Sequence, residues 1–361
     1  MFSKKVVLAL LPVMALTGCS AATVPSATPS PASATACLVV DSRGLADGGV
    51  NESAYSAIKE SVVSLATAKF EKVLGAKADS VDAFEAIELM VRRGCNLVIT
   101  AGPKLRSASI RSAALNPDIA FVLIDDEIPN PEAAPLANNL KHLTFESGQS
   151  AVLAGYLAAA NSKTGVVATF GSFKTPTVTA SMQGFRLGVE LFNDETDSDV
   201  AVLGAEGKVT EWKYLNNASN PAAGKRAAIK FFDAGADIVY PVAGRAGLGA
   251  GEATLERDGT LVIGLDRDWF MDTDHKKWRE NVLASTVKQV SRQVLQSIKD
   301  FVANGSVGDW ASNSSVGTLA NGGVELTDER SIDYSPEFLT ARNRIAEQLA
   351  SGTIETPKGQ G

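Results

Sequence analysis

The sequence predicts an α/β protein built as two doubly wound parallel-sheet lobes. Three observations predict it. From residue 37 onward, short apolar runs alternate with amphipathic stretches of helical period. The apolar runs lack strict in–out alternation, as strands covered on both faces do. The chain has 361 residues, a length better divided into two such sheets than one.

The elements follow in chain order. Residues 1–18 read as a signal peptide. Lys4 and Lys5 form its positive start, and the apolar run from Val6 to Leu16 has eleven residues, short of the roughly 20 needed to span a bilayer. The run ends in Leu16-Thr17-Gly18-Cys19, which looks like a lipobox with Cys19 as the acylated residue and cleavage after Gly18. Residues 19–36 are then the lipidated N-terminus and a disordered tether. Residues 20–36 carry no charge and no large side chain except Val24, and Pro25, Pro29 and Pro31 keep them extended.

Strand-like runs lie at 37–41, 95–100, 119–124, 165–170, 236–240 and 261–265. Helical patterns lie at 50–72, 80–93, 147–160, 176–192, 221–234 and 277–303. Cys37 and Cys95 each open a strand-like run; neighbouring strands would allow a disulfide, and otherwise the two are small buried hydrophobes. The Pro-rich stretch 127–140 marks a break between lobes. The expected division is residues 37–130 plus about 265–310 for lobe 1 and about 131–264 plus about 311–350 for lobe 2. Residues 351–361 read as a flexible tail.

Composition excludes several functions. The net charge of −7, or −9 once Lys4 and Lys5 are removed, makes nucleic acid a poor partner. Two histidines and three cysteines offer no zinc spacing, so no metal is expected, and no cofactor is expected either. No Gly-x-Ser-x-Gly turn is present, and His142 and His275 read as surface residues rather than general bases. The glycine-rich run Gly244–Gly251 resembles a dinucleotide fingerprint but follows a strand deep in the second half, away from the first βα turn where that fingerprint belongs. Its physical content is a backbone that lets a ligand approach closely.

Strand ends are more informative. Asp41 and Asp47 follow the first strand, Asp125 and Asp126 the third, and Asp266 and Asp268 the last. Helix capping explains any one of them. Together they describe a cleft ringed with acceptors, which suits polyols, sugars and nucleosides.

These segments resemble the basic membrane protein family of purine-nucleoside-binding lipoproteins of ABC importers. The likeness runs from 37 to about 310 through 44–55 (GLADGGVNESAY), 94–100 (GCNLVIT), 121–125 (FVLID), 146–156 (ESGQSAVLAGY), 176–185 (PTVTASMQGF), 236–249 (ADIVYPVAGRAGLG), 262–266 (VIGLD) and 283–288 (LASTVK). It implies a type I periplasmic-binding-protein architecture with a ligand cleft between the lobes, no enzymatic activity, and an ABC permease as partner. The protein is then a monomer held at the extracellular face of the cell membrane by its lipid. Carried over by position, Asp47, Asn51 and Asp125 match ligand-contacting residues, Gly244 a backbone contact, and Asp266 with Lys288 the pair that holds a ribose. Two aromatics that would sandwich the base fall on Val50 and Ala218, so the ribose end is kept and the base end is altered. Trp212, Tyr214, Tyr240, Phe173 and Trp269 are the nearby rings that could replace them. Competing readings are a sensory receptor of the same fold for a sugar or signal molecule, and a nucleoside hydrolase, against which the chain lacks a dense aspartate run near the first strand.

Overall fold

The computed structural model describes residues 33–41, 43–65, 68–73, 80–124, 137–204, 213–272, 276–304, 307, 310, 314–327 and 335–357. Two six-stranded sheets make two lobes. The first holds β1 (Ala34–Val40), β2 (Ala68–Val73), β3 (Leu97–Ala101), β4 (Ala120–Ile124), β5 (Leu140–Phe145) and a late strand, β11 (Ser315–Gly317). Their order is β11-β5-β4-β3-β1-β2, and every pairing is parallel. The second holds β6 (Val166–Gly171), β7 (Ala201–Leu203), β8 (Ile238–Val242), β9 (Leu261–Asp266), β10 (Val282–Lys288) and β12 (Val324–Thr327) in the order β12-β10-β9-β8-β6-β7. Among the described residues only the edge strand β12 runs antiparallel in this sheet.

Burial on both faces explains the unbroken apolar runs. Along β1, Ala34, Ala36, Leu38 and Val40 pack toward α1 (Val50–Ser64) and α8 (Val290–Asn304), while Cys37 and Val39 pack toward α2 (Ser80–Arg92) and α3 (Arg106–Leu115). Cys37 and Cys95, both on the α2/α3 side, form a disulfide with Cα atoms 6.0 Å apart. The second sheet is covered by α4 (Ser147–Asn161), α5 (Pro176–Thr196), α6 (Pro221–Asp233) and α7 (Leu248–Thr254), with α9 (Pro336–Ala350) packed on α4. Thr175 and Asn220 start α5 and α6 by accepting from Val178 N and Ala222 N, each followed by a proline that needs no N–H partner.

Among the described residues the chain crosses between lobes three times: at Glu146, at Gln289 and between β11 and β12. The crossings are tied together, Glu146 N to Gly317 O at 2.8 Å and Gln289 N to Gly323 O at 2.9 Å. The expected lobe boundaries therefore need correction. β5 completes the first sheet, so lobe 1 runs past residue 131 to Phe145. β9 and β10 belong to the second sheet, so lobe 1 resumes at α8 rather than at 265, and it retains β11. The stretch 127–140 thus falls between two paired strands of one sheet, β4 and β5, and not between the lobes.

Two helix expectations also change. The pattern 50–72 ends as α1 at Ser64 and is followed by β2. The pattern 277–303 contains β10, so Lys288 ends a strand rather than lying on a helix. His142 lies on β5 and is 1% exposed, not a surface residue. His275, Cys19 and the whole segment 1–32 lie outside the described residues.

Candidate functional site

Each sheet reverses its strand order once, between β1 and β3 in lobe 1 and between β6 and β8 in lobe 2. Carboxyl ends of strands at such a reversal leave a crevice where open α/β sheets bind ligands.

In lobe 1 the loop after β1 is built around two buried aspartates. Asp41 accepts from Arg43 Nε at 2.9 and 3.0 Å and from Asn51 Nδ2 at 3.1 Å. Asp47 accepts from the backbone N–H groups of Gly49 (2.9 Å), Glu52 (3.2 Å) and Asn51 (3.4 Å), with Arg43 Nη1 at 3.6 Å. Asp47 therefore satisfies the free donors of the first turn of α1. Burial pushes its carboxyl above the ordinary carboxylate range, against the pull of Arg43 and of those backbone donors. Asn51 is fully buried, and its Oδ1 has no hydrogen-bond partner among the described residues. An acceptor in that state at a strand-order reversal is poised for a donor.

In lobe 2, Asp266 ends β9 with φ of 66°, a left-handed conformation uncommon outside glycine. Its Oδ1 lies 3.4 Å from Lys288 Nζ at the end of the neighbouring β10, where Val287 is the register partner of Asp266. Both side chains are mostly buried, at 15% and 8% exposure. Beneath them Tyr240 is fully buried with its OH 3.0 Å from Thr286 Oγ1, and burial holds its phenol far above the usual range. Gly244 follows β8 with φ of 54°, and a Cβ there would sit 3.3 Å from Ala218 O.

The two edges meet. A Cβ on Gly49 would lie 3.1 Å from Asp266 Oδ2, so the backbone between Asp47 and Asn51 faces the Asp266–Lys288 pair. The structure thus places the loop that carries Asp47 and Asn51 against the end of β9 that carries Asp266, beside Lys288, with Gly244 just past the end of the adjoining β8. Asp125, the remaining expectation, lies outside the described residues. The sequence reading missed Arg43, Glu52 and Arg267. Glu52 and Arg267 pair across the lobes at 2.8 Å, and the adjacency of Arg267 to Asp266 was the only local signal.

The aromatic candidates separate by burial. Trp269 is a core residue that donates to Leu265 O at 3.1 Å and packs edge-on to Trp278. Tyr240 is buried, and Tyr214 packs on the lobe 2 core with its OH 3.0 Å from Thr179 Oγ1. Phe173, 43% exposed, stands in the loop after β6. That loop is pinned at the reversal point by Ser172 N to Val242 O (2.9 Å) and Asn217 N to Ser172 O (3.3 Å), one residue short of Phe173 and of Ala218. Trp212 lies outside the described residues. Val50 is 2% exposed within the lobe 1 core, a packing residue rather than a cleft position left open.

Comparison with known proteins agrees with the two-lobed fold. The profile of the family described as "Bmp: ABC transporter substrate-binding protein PnrA-like" matches residues 34–360. The chain is 26% identical over 338 residues to the "ABC transporter nucleoside-binding protein BmpA" of Lactococcus lactis, covering 89% of this chain and 88% of that protein. It is 29% identical over 259 residues to "Basic membrane protein A" of Borreliella afzelii, 71% of this chain and 72% of the relative. Among solved structures, an ABC transporter solute-binding protein of Conexibacter woesei superposes with a TM-score of 0.69 at 21% identity, over 91% of this chain and all of that one. A solute-binding protein of Aeropyrum pernix superposes with a TM-score of 0.70 at 18% identity, over 90% and 94%.

Proposed function

The chain belongs to the Bmp family of PnrA-like ABC transporter substrate-binding proteins, and from that premise we propose that it captures a nucleoside, or a related ribosyl or sugar ligand, for import. The family and the two-lobed type I periplasmic-binding-protein fold are those of solute-binding transport proteins, not enzymes, which sets the hydrolase reading aside. The observation that carries the ligand class is the Asp266–Lys288 pair at the carboxyl ends of adjacent strands, faced by the Gly49 backbone of the other lobe.

A carboxylate accepts two vicinal hydroxyls at once, and a neighbouring ammonium donates to one of them while balancing the charge. A ribose or similar diol seated there meets a preformed clamp. The buried Oδ1 of Asn51 supplies a further acceptor from lobe 1. Asp47 contributes chiefly by holding the first turn of α1 in place, its oxygens already accepting from three backbone N–H groups. Gly244 offers backbone at close range, and Asp125 remains a candidate contact by its position in sequence.

At the membrane, Cys19 is the proposed lipid anchor on the extracellular face, with residues 20–36 as tether and an ABC permease as the recipient of the ligand. Differential scanning fluorimetry against nucleosides, free bases and pentoses tests the ligand class. A ligand at 100 times its Kd adds about 2.7 kcal/mol of stability. Stabilisation by ribonucleosides or pentoses is the expected result. Stabilisation by free bases alone, or by none of the three sets, removes the diol clamp from consideration.

A further inference from the structure

Arg267 follows Asp266 directly and carries a charge from lobe 2 to lobe 1. Its Nη1 lies 2.8 Å from Oε1 of Glu52 in the first turn of α1. Its Nη2 bonds Asp272 in its own lobe. Its Nε is buried and has no hydrogen-bond partner among the described residues, so the guanidinium depends on these two carboxylates. Glu52 is tied into the opposite edge of the cleft as well. Its Oε2 accepts from Gly48 N at 3.2 Å, and its own backbone N–H donates to Asp47 at 3.2 Å.

One residue therefore connects the two halves of the site: along the chain Arg267 adjoins Asp266, and through Glu52 it holds the loop that Asp47 organises. We propose that Arg267 is the clasp between the lobes, a positioning residue that through Glu52 seats the Gly48–Gly49 backbone over Asp266. The inference rests on the binding reading for what the clasp brings together, but the clasp itself needs no ligand, because neither partner belongs to the proposed ligand contacts.

The geometry suits that role. Arg presents a planar fork whose donors match two carboxylates at once. Asp272 holds one side of the fork within lobe 2, so the other side is oriented before Glu52 arrives. Preorganisation of this kind lowers the ordering cost of association. The side chains of Arg267 and Glu52 are 23% and 33% exposed, which leaves the pair partly shielded yet within reach of salt. The clasp closes with the lobes and is lost when they part.

The test measures lobe separation without added ligand. Spin labels at Val63→Cys and Leu255→Cys, exposed sites on lobe 1 and lobe 2, report the distance in a Cys19→Ser background, where Cys37 and Cys95 are disulfide-bonded. The parent protein is expected to show a compact population that falls about fivefold relative to the extended one in Glu52→Gln. Sodium chloride at about 1 M should move the parent to the same distribution and leave Glu52→Gln unchanged. Arg267→Ala should reproduce Glu52→Gln. Superimposable distributions for the parent and Glu52→Gln overturn the clasp, and they do so whatever the nucleoside screen returns.

Discussion

Gly49 of lobe 1 and Asp266 of lobe 2 approach so closely that a Cβ on the glycine would lie 3.1 Å from Asp266 Oδ2, 3.8 Å from its Cγ and 3.7 Å from its Cβ. A side chain at 49 would crowd the Asp266 carboxylate, which would have to give way by a few tenths of an ångström. Gly49→Ala should therefore resist closure without unfolding either lobe. A misfit of one methyl in a close-packed contact costs about 1–3 kcal/mol, which corresponds to an affinity loss of roughly 5- to 150-fold. Calorimetric titration of whichever nucleoside or pentose stabilises the parent protein reads the loss. Unchanged affinity in Gly49→Ala would show that the bound lobes stand further apart at this point.

The Asp266–Lys288 pair can be a ligand clamp or only an ion pair that joins β9 to β10. Double substitution separates the two. Asp266→Ala leaves the mostly buried ammonium of Lys288 without its carboxylate, which costs about 3–5 kcal/mol of stability if the site stays dry. Adding Lys288→Met removes the buried charge and should return most of that stability. Binding should not return, because the diol acceptor is gone. Urea midpoints and binding titrations on the same variants check this, and recovery of affinity in the double variant would make the pair purely structural.

Val50 stands where the family resemblance places a ring, so Val50→Phe suggests itself as a way to raise affinity for flat heterocycles. The structure argues the opposite. Val50 is 2% exposed and packs with Val40, Ala54 and Ile124 in the lobe 1 core. A phenyl group there overpacks the core, with a cost of about 1–3 kcal/mol. Lower melting temperature with no gain in nucleoside affinity is the expected outcome; a gain would place the side chain in the cleft.

Asp47 makes a pH prediction. Burial raises its carboxyl above its ordinary value of 3.8, with Arg43 and the backbone donors acting against the rise. Its folded form therefore binds a proton more readily than its unfolded form. Between 3.8 and the raised value the native state holds more protons, so this contribution to stability is present at low pH and is lost as pH rises through the folded pKa. Asn keeps a capping oxygen but does not titrate. Urea midpoints from pH 7 down to about 3.5 should show the parent gaining on Asp47→Asn as pH falls. A constant difference across that range would mean that the carboxyl is not perturbed.

Much of the fold was legible because β1, β3, β4, β6 and β9 are buried on both faces and read as apolar runs. Strand β5 escaped because Lys141 and His142 interrupt it. Both are buried through distant partners, Lys141 beside Asp300 at 3.3 Å and the His142 backbone on Ser314 Oγ at 2.9 Å, and such partners leave no local pattern. Strand β10 escaped because Ala284, Ser285 and Thr286 give it neither an apolar run nor a strand-like alternation. The candidate site followed the same rule. Asp47 and Asp266 follow apolar runs and could be read as strand-end acids, and Asn51 and Lys288 were reached through the family resemblance, whereas the meeting of Gly49 with Asp266 and of Glu52 with Arg267 joins distant parts of the chain and exists only once the lobes face each other.

Phe173 supports the last prediction. Of the five rings able to replace the missing pair, Trp269 and Tyr240 are core residues, Tyr214 is held against Thr179, and Trp212 lies outside the described residues. Phe173 is 43% exposed at the reversal point of the second sheet, in a loop fixed by Ser172 to Val242 and adjoining the segment that carries Ala218. An exposed phenyl ring gains by covering the flat face of a ligand, and base–aromatic stacking is worth about 1–3 kcal/mol per base. Phe173→Ala should therefore weaken binding of purine nucleosides roughly 5- to 150-fold and leave D-ribose binding unchanged, since a pentose alone has no base to stack. Stability without ligand should hold, because an exposed side chain contributes little to the core. Phe173→Tyr keeps the ring and should keep most of the affinity. Equal losses for nucleoside and ribose would mean that the substitution disturbs the loop rather than a stacking contact, and no loss for either would place the ring outside the cleft.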